Sequence, residues 1–66
     1  MQLSLIIVTY NSEKYIESCI DSILESIEVF EYYEIIVIDN NSKDRTVQLI
    51  ESFLNPNIKI IREKCN

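Results

Sequence analysis

The sequence predicts an α/β fold: a three-stranded parallel βαβαβ sheet in the order 3-2-1. Three short apolar runs, at residues 3–9, 34–39 and 58–62 or 63, alternate with two stretches of helical periodicity. Apolar runs of this length that lack polar alternation are typical of strands in parallel sheets. Right-handed crossovers through the two helices then place consecutive strands side by side.

The first predicted strand, residues 3–9, contains the run Leu5-Ile6-Ile7-Val8 and shows no polar alternation. We therefore expect helices to cover both of its faces. The strand gives way at once to Thr9, Tyr10, Asn11 and Ser12. In open parallel sheets, ligands bind just beyond the carboxyl ends of the strands, so these residues lie where a site is expected.

The first predicted helix covers residues 12–27, with Asn11 or Ser12 as its N-cap and Glu13 in the first turn, where an acid suits the helix dipole. Apolar residues at three- and four-residue steps give it one buried stripe. That stripe comprises Ile16, Cys19, Ile20, Ile23, Leu24 and Ile27, so Cys19 is predicted to be a small core residue. The acidic residues on the other face are interpreted as a solvated surface.

The second predicted helix runs from residue 44 or 45 to residue 54, capped by Ser42 or Asp44 and stopped by Asn55-Pro56-Asn57. Its inward-facing residues are predicted to be Val47, Ile50, Phe53 and Leu54. Tyr32 and Tyr33 are assigned to the link before the second strand, and no chemistry is predicted for them.

Composition excludes several classes of function. Sixty-six residues suffice for one domain, and the chain contains no glycine, so neither glycine-rich phosphate loop motif is present. A net charge of −5 argues against nucleic acid as a partner. Cys19 and Cys65 lack the spacing of metal ligands, and no apolar stretch is long enough for a membrane span. A reducing compartment fits, so we expect a cytoplasmic location, with the inner face of the membrane as an option.

The predicted sheet leaves its first strand as an apolar edge, which proteins normally cover. We therefore expect residues 1–66 to be a partial domain, the amino-terminal piece of a larger one, or to pair with a second copy through this strand.

Two polar clusters follow two adjacent predicted strands, and they are expected to lie side by side at one rim of the sheet. The first offers Thr9, Tyr10 and Asn11, and the second offers Asp39, Asn40 and Ser42. An aromatic face can stack on a base, and carboxylate or amide groups can hydrogen-bond a nucleoside. The alternative is that Asn11, Ser12, Ser42 and Asp44 serve only as caps and turn formers. That alternative is weaker for Asp39, because a carboxylate that ends an apolar strand is costly to bury.

The runs SLIIVTYN and IIVIDNNSKDRT resemble the start of family 2 glycosyltransferases, inverting enzymes of the GT-A fold. The resemblance covers nearly the whole chain. It implies the Rossmann-like, nucleotide-binding half of a GT-A domain, with a nucleoside-diphosphate sugar, commonly a UDP-sugar, as partner. Residues that also fit the family's first-helix pattern are Tyr15, Ile16, Cys19, Ile20, Ser22 and Ile23.

By this resemblance, Thr9 and Tyr10 are expected to lie against the base. Asp39 and Asn40 match the acidic pair that contacts the nucleoside, with Asn40 where many members have Asp. Asn11 and Ser42 are expected to shape the two loops.

The chain departs from the family pattern in lacking a DxD motif, which in the family holds a divalent metal against the diphosphate. The family's catalytic base is also missing, so no catalytic or metal-ligating residue is assigned, and the chain alone is expected to be inactive. Mg²⁺ or Mn²⁺ is expected only for the full-length enzyme.

Two alternative interpretations remain. The first is a non-catalytic acidic α/β interaction module that self-associates through the first strand. The second is a phosphoacceptor receiver domain, but such a domain needs an acidic pair after the first strand, where this chain has Thr9 and Tyr10.

Overall fold

The computed structural model describes residues 2–64, which form three strands and two helices. In chain order these are β1 (Gln2–Thr9), α1 (Ile16–Ile27), β2 (Tyr32–Asp39), α2 (Thr46–Glu51) and β3 (Ile58–Arg62). The predicted element order is confirmed. The link assigned to Tyr32 and Tyr33 is wrong, because both residues belong to β2 and pair with Gln2 and Leu3. Cys65 lies outside the described residues.

The sheet is parallel throughout and has the order β1-β2-β3, which confirms the predicted 3-2-1 arrangement. Its register aligns the three strand ends: Thr9 is opposite Asp39, and Asp39 is opposite Arg62. The loops that follow β1 and β2 therefore leave the sheet at the same rim.

Helix α1 packs an isoleucine stripe against the sheet, with Ile16, Ile20 and Ile27 buried. Cys19 is exposed, so its assignment to the core is wrong. At ~100° per residue, Cys19 lies about 80° from the centre of the stripe, beyond the face that meets the sheet. The helix also begins four residues later than predicted, because residues 13–15 form a turn and the Ser12 hydroxyl donates to the Tyr10 carbonyl instead of capping the helix.

Helix α2 is shorter than predicted and ends at Glu51. Val47 and Ile50 are buried and Phe53 is half-buried, as expected. Leu54 is 88 % exposed, so its predicted inward orientation is wrong. Its φ of 53° lies in the left-handed region, which turns the chain away from the helix path before Leu54 can reach the core.

Both helices pack against the same face of the sheet within the described residues. The core joins α1 and α2 to alternate strand residues, among them Leu5, Ile35 and Ile60. On the opposite face, Ile6 is 67 % and Val8 is 68 % exposed. The expectation that β1 is covered on both faces is therefore wrong. Two right-handed crossovers that advance in one direction across a sheet place both helices on one side.

Candidate functional site

The candidate site is built on a carboxylate buried where β1 and β2 end. Asp39 is 0 % exposed and Thr9 is 3 % exposed. The Thr9 hydroxyl donates to Asp39 Oδ1 at 2.8 Å across the strand pair. The predicted meeting of the two polar clusters at one rim is therefore present in the structure.

Ser42 completes the set of donors around this carboxylate. Its hydroxyl donates to Asp39 Oδ1 at 2.6 Å, and its backbone N–H donates to Oδ2 at 2.9 Å. Burial raises the pKa of Asp39, but the Ser42 and Thr9 hydrogen bonds and the nearby charge of Arg62 outweigh it, so the pKa lies below its ordinary value. Asp39 is thus an ionised, fully enclosed acceptor that ties both loops to the end of the sheet.

Asn11 links the first loop, residues 10–15, to the second loop, residues 40–45. Its backbone N–H donates to Ser42 Oγ at 2.8 Å, and its side-chain Oδ1 accepts the Lys43 N–H at 2.7 Å. Asn11 has a φ of 47°, and Asn41 in the second loop has a φ of 59°. Asparagine tolerates this left-handed conformation better than most residues, which suits a chain without glycine.

The predicted site residues divide by exposure. Thr9, Asp39 and Ser42 are buried and hydrogen-bonded to one another. Tyr10 is 53 % exposed, and Asn40 is half-buried, with its backbone N–H bound to the Thr9 carbonyl at 2.8 Å. Asn11 is exposed as well, so the Tyr10 ring and the two amides are the accessible groups of the cluster.

Sequence reasoning missed the part that Glu13, Asp44 and Thr46 play between the two loops. The prediction that Glu13 lies in the first turn of α1 is wrong, because Glu13 belongs to the turn before the helix. Glu13 and Asp44, the latter a predicted cap, each accept a backbone N–H of the opposite loop. One signal existed: Glu13 follows Asn11, and Asp44 follows Ser42, at the same two-residue offset.

The carboxylates at this rim do not fit a metal site. Both Asp39 oxygens accept hydrogen bonds, and Asp44 accepts from the Thr46 N–H, the Thr46 hydroxyl and the Glu13 N–H. Three donors on each carboxylate occupy most of its roughly four lone-pair positions, which leaves little capacity for Mg²⁺ or Mn²⁺. Across residues 2–64, no group of three potential metal-binding side chains comes together.

Charge is unevenly distributed along the chain. The strand ends and following segments at this rim, residues 9–15, 39–45 and 62–64, hold five of the six basic residues but only four of the eleven acidic ones. The remaining chain holds Lys59 and seven acids. The rim is therefore the part of an acidic molecule that best tolerates an anion. The five basic residues there, all exposed, are Lys14, Lys43, Arg45, Arg62 and Lys64.

This fold and rim define a class: α/β proteins that present polar residues beyond the carboxyl ends of a parallel sheet. The profile of the family described as "Glycosyl transferase family 2" matches residues 4–66. The chain belongs to glycosyltransferase family 2, as the resemblance of its motifs implied.

Named relatives agree with this assignment. The chain is 36 % identical over 67 residues to the poly(ribitol-phosphate) beta-N-acetylglucosaminyltransferase TarS of Staphylococcus aureus strain Mu50, with all of the chain and 12 % of TarS covered. It is 46 % identical over 63 residues to the minor teichoic acid biosynthesis protein GgaA of Bacillus subtilis strain 168, with 89 % of the chain and 14 % of GgaA covered.

The solved structures give the same result for the fold. The crystal structure of S. aureus TarS 1–349 superposes with a TM-score of 0.82 at 34 % identity, covering all of this chain and 20 % of TarS 1–349. TarS 1–349 has also been solved in complex with UDP, with the same TM-score and identity to this chain. The chain thus spans a small part of the length of these glycosyltransferases. None of the helices within residues 2–64 has the length and apolar character needed to cross a membrane.

Proposed function

We propose that residues 4–66 form the nucleotide-binding part of an inverting glycosyltransferase. The enzyme would transfer a sugar from a nucleoside-diphosphate donor, a UDP-sugar, to an acceptor hydroxyl. The observation that carries this proposal is the pair of hydrogen-bonded loops at the carboxyl rim. There Tyr10 and Asn40 are accessible next to the buried Thr9–Asp39 pair. The UDP complex of TarS and the concentration of basic residues at the rim support it.

In this proposal the Tyr10 ring stacks on the base, and Asn40 hydrogen-bonds the nucleoside. Thr9, Asp39, Asn11 and Ser42 hold the two loops in place. Because Thr9 and Asp39 are almost fully buried, a nucleoside reaches them only if a neighbouring side chain moves.

The described residues are not proposed to perform the transfer itself. The sequence contains no DxD motif, and the rim carboxylates are occupied by hydrogen-bond donors. We therefore propose that sugar transfer, and any divalent metal that it uses, depends on chain beyond these residues.

Titration with UDP and with uridine, followed by amide NMR shifts, tests the nucleotide site. We expect shifts confined to residues 9–12 and 39–42 with both ligands. Arg62→Gln is expected to weaken UDP binding about threefold and to leave uridine binding unchanged, because only UDP carries charge near the rim. Lys59→Gln removes the same charge from the second residue of β3, away from the rim, and should change neither. A folded sample without shifts at the rim contradicts the proposal.

A second function, self-association through β1, is favoured by one observation. Within the described residues β1 is an edge strand, and its Ile6 and Val8 are mostly exposed. Exposed apolar edge strands promote pairing between chains. Sedimentation should then show a dimer at micromolar concentration, and a stable folded monomer would contradict this second function.

A further inference from the structure

The two loops at the rim are joined by a set of cross-loop hydrogen bonds in which backbone donors meet side-chain acceptors. Besides the two bonds of Asn11, the Ser12 N–H donates to Thr46 Oγ1 at 2.8 Å. The Glu13 N–H donates to Asp44 Oδ2 at 3.1 Å, and the Arg45 N–H donates to Glu13 Oε1 at 2.9 Å. Each loop thus satisfies backbone groups of the other.

Glu13 and Asp44 form a reciprocal pair. Each carboxylate accepts a backbone N–H from the opposite loop, so the loss of either side chain leaves that N–H without its acceptor and loosens both loops. Hydrogen bonds to an ionised acceptor are stronger than those between neutral groups. The Thr46 hydroxyl and N–H also bind Asp44 Oδ1, which fixes this carboxylate relative to the first turn of α2.

The pair lies close in sequence to the accessible groups of the site. Glu13 is three residues from Tyr10, and Asp44 is four residues from Asn40. The left-handed Asn11 and Asn41 lie between them, and such conformations persist only where surrounding contacts hold them. Tyr10 and Asn40 directly follow the paired strand ends, where the Asn40 N–H binds the Thr9 carbonyl, and the cross-loop bonds hold the segments that continue from them.

We propose that Glu13 and Asp44 are positioning residues that fix the relative placement of Tyr10 and Asn40 and so preorganise the nucleoside site. This inference rests on the proposed nucleotide-binding function. Neither carboxylate contacts the ligand. Each acts by holding a backbone N–H of the opposite loop, which lowers the ordering cost of binding.

Uridine titration tests this role, because a neutral probe removes the effect of net charge. Glu13→Ala and Asp44→Ala are each expected to weaken uridine binding about tenfold through lost preorganisation. Amide exchange should quicken at Arg45 in Glu13→Ala and at Glu13 in Asp44→Ala. Glu13→Gln keeps an acceptor oxygen and should bind uridine within about twofold of the parent chain. The double alanine variant should lose about as much uridine affinity as one single variant. Its loss should therefore be smaller than the product of the two single losses, because the pair acts as a unit.

Glu17→Ala is the matched control, because it removes an acid from the first turn of α1 without touching the cross-loop pair. It should leave uridine binding unchanged. Uridine affinity within about twofold of the parent in both alanine variants would overturn the positioning role. If an alanine variant does not fold, Glu13→Asp, which shortens the side chain by one methylene, replaces it. A roughly tenfold loss of uridine affinity then supports the positioning role, and a loss within about twofold overturns it. A parent chain that binds neither uridine nor UDP contradicts the proposed function itself.

Discussion

Polar residues are usually exposed and apolar residues buried, but two regions of this molecule show the opposite. They are the carboxyl rim and the uncovered face of the sheet, which carries Ile6 and Val8. At the rim, a carboxylate and two hydroxyl-bearing residues are buried, as Asp39, Thr9 and Ser42. On the uncovered face, Ile6 and Val8 are more than 60 % exposed. Buried polar groups are tolerated only when they are hydrogen-bonded, and within residues 2–64 no buried side-chain polar atom lacks a partner.

The two regions differ in how much their side chains contribute to the stability of the fold. The rim depends on a few directional bonds, so one substitution there removes several partners at once. The uncovered face makes few contacts in the described residues, so substitutions there should change the free energy of unfolding very little.

The largest expected effect is that of Asp39→Ala. It leaves two hydroxyls and the Ser42 N–H without their buried acceptor, which should lower the free energy of unfolding by about 4 kcal/mol. Urea unfolding followed by circular dichroism measures the change. A loss of less than about 1 kcal/mol would show that the carboxylate does not hold the rim together.

A somewhat smaller effect is expected for Ile20→Ala. Ile20 is 0 % exposed under α1, and removing its buried methyl groups should cost about 3 kcal/mol by the same measurement.

Ile6→Ala is the matched control on the uncovered face, because it makes the same chemical change at a side chain that is 67 % exposed. It should cost no more than about 1 kcal/mol, the span of strand propensities. Equal losses of unfolding free energy in Ile6→Ala and Ile20→Ala would mean that Ile6 is covered in solution.

A further expected effect is the dependence of stability on pH. The pKa of Asp39 is lowered in the folded chain below its ordinary 3.8, so its contribution to stability is fully present above that value. The contribution is lost as the pH falls through the folded-state pKa. The pKa of Asp44 is lowered as well, chiefly by the Thr46 hydroxyl, and acts with the same sign in the same range.

The free energy of unfolding, measured at several pH values between 7 and 2, separates the contributions of Asp39 and Asp44. The share of Asp39 is the difference between the parent chain and Asp39→Asn, which has no carboxylate to titrate at that position. If the free energy of unfolding depends on pH in the same way in both chains, Asp39 has the same pKa in the folded and unfolded states.

Much of the fold is determined by the sequence alone. The runs around Ile7, Ile36 and Ile60 specify strands because β-branched residues favour them, and the stripe from Ile16 to Ile27 specifies a helix. These signals are local, so they survive without knowledge of the partner elements. The polar residues that end β1 and β2 also indicated where the candidate site lies.

Only the tertiary structure decided which face of the sheet is covered, that Cys19 is exposed, and that Glu13 and Asp44 join the two loops. The first depends on the direction of both crossovers, and the second depends on how much of the surface of α1 the sheet covers. The third depends on the register that places Thr9 opposite Asp39, which aligns two loops thirty residues apart in sequence. Each is a relation between distant elements, and no local pattern of residues encodes it.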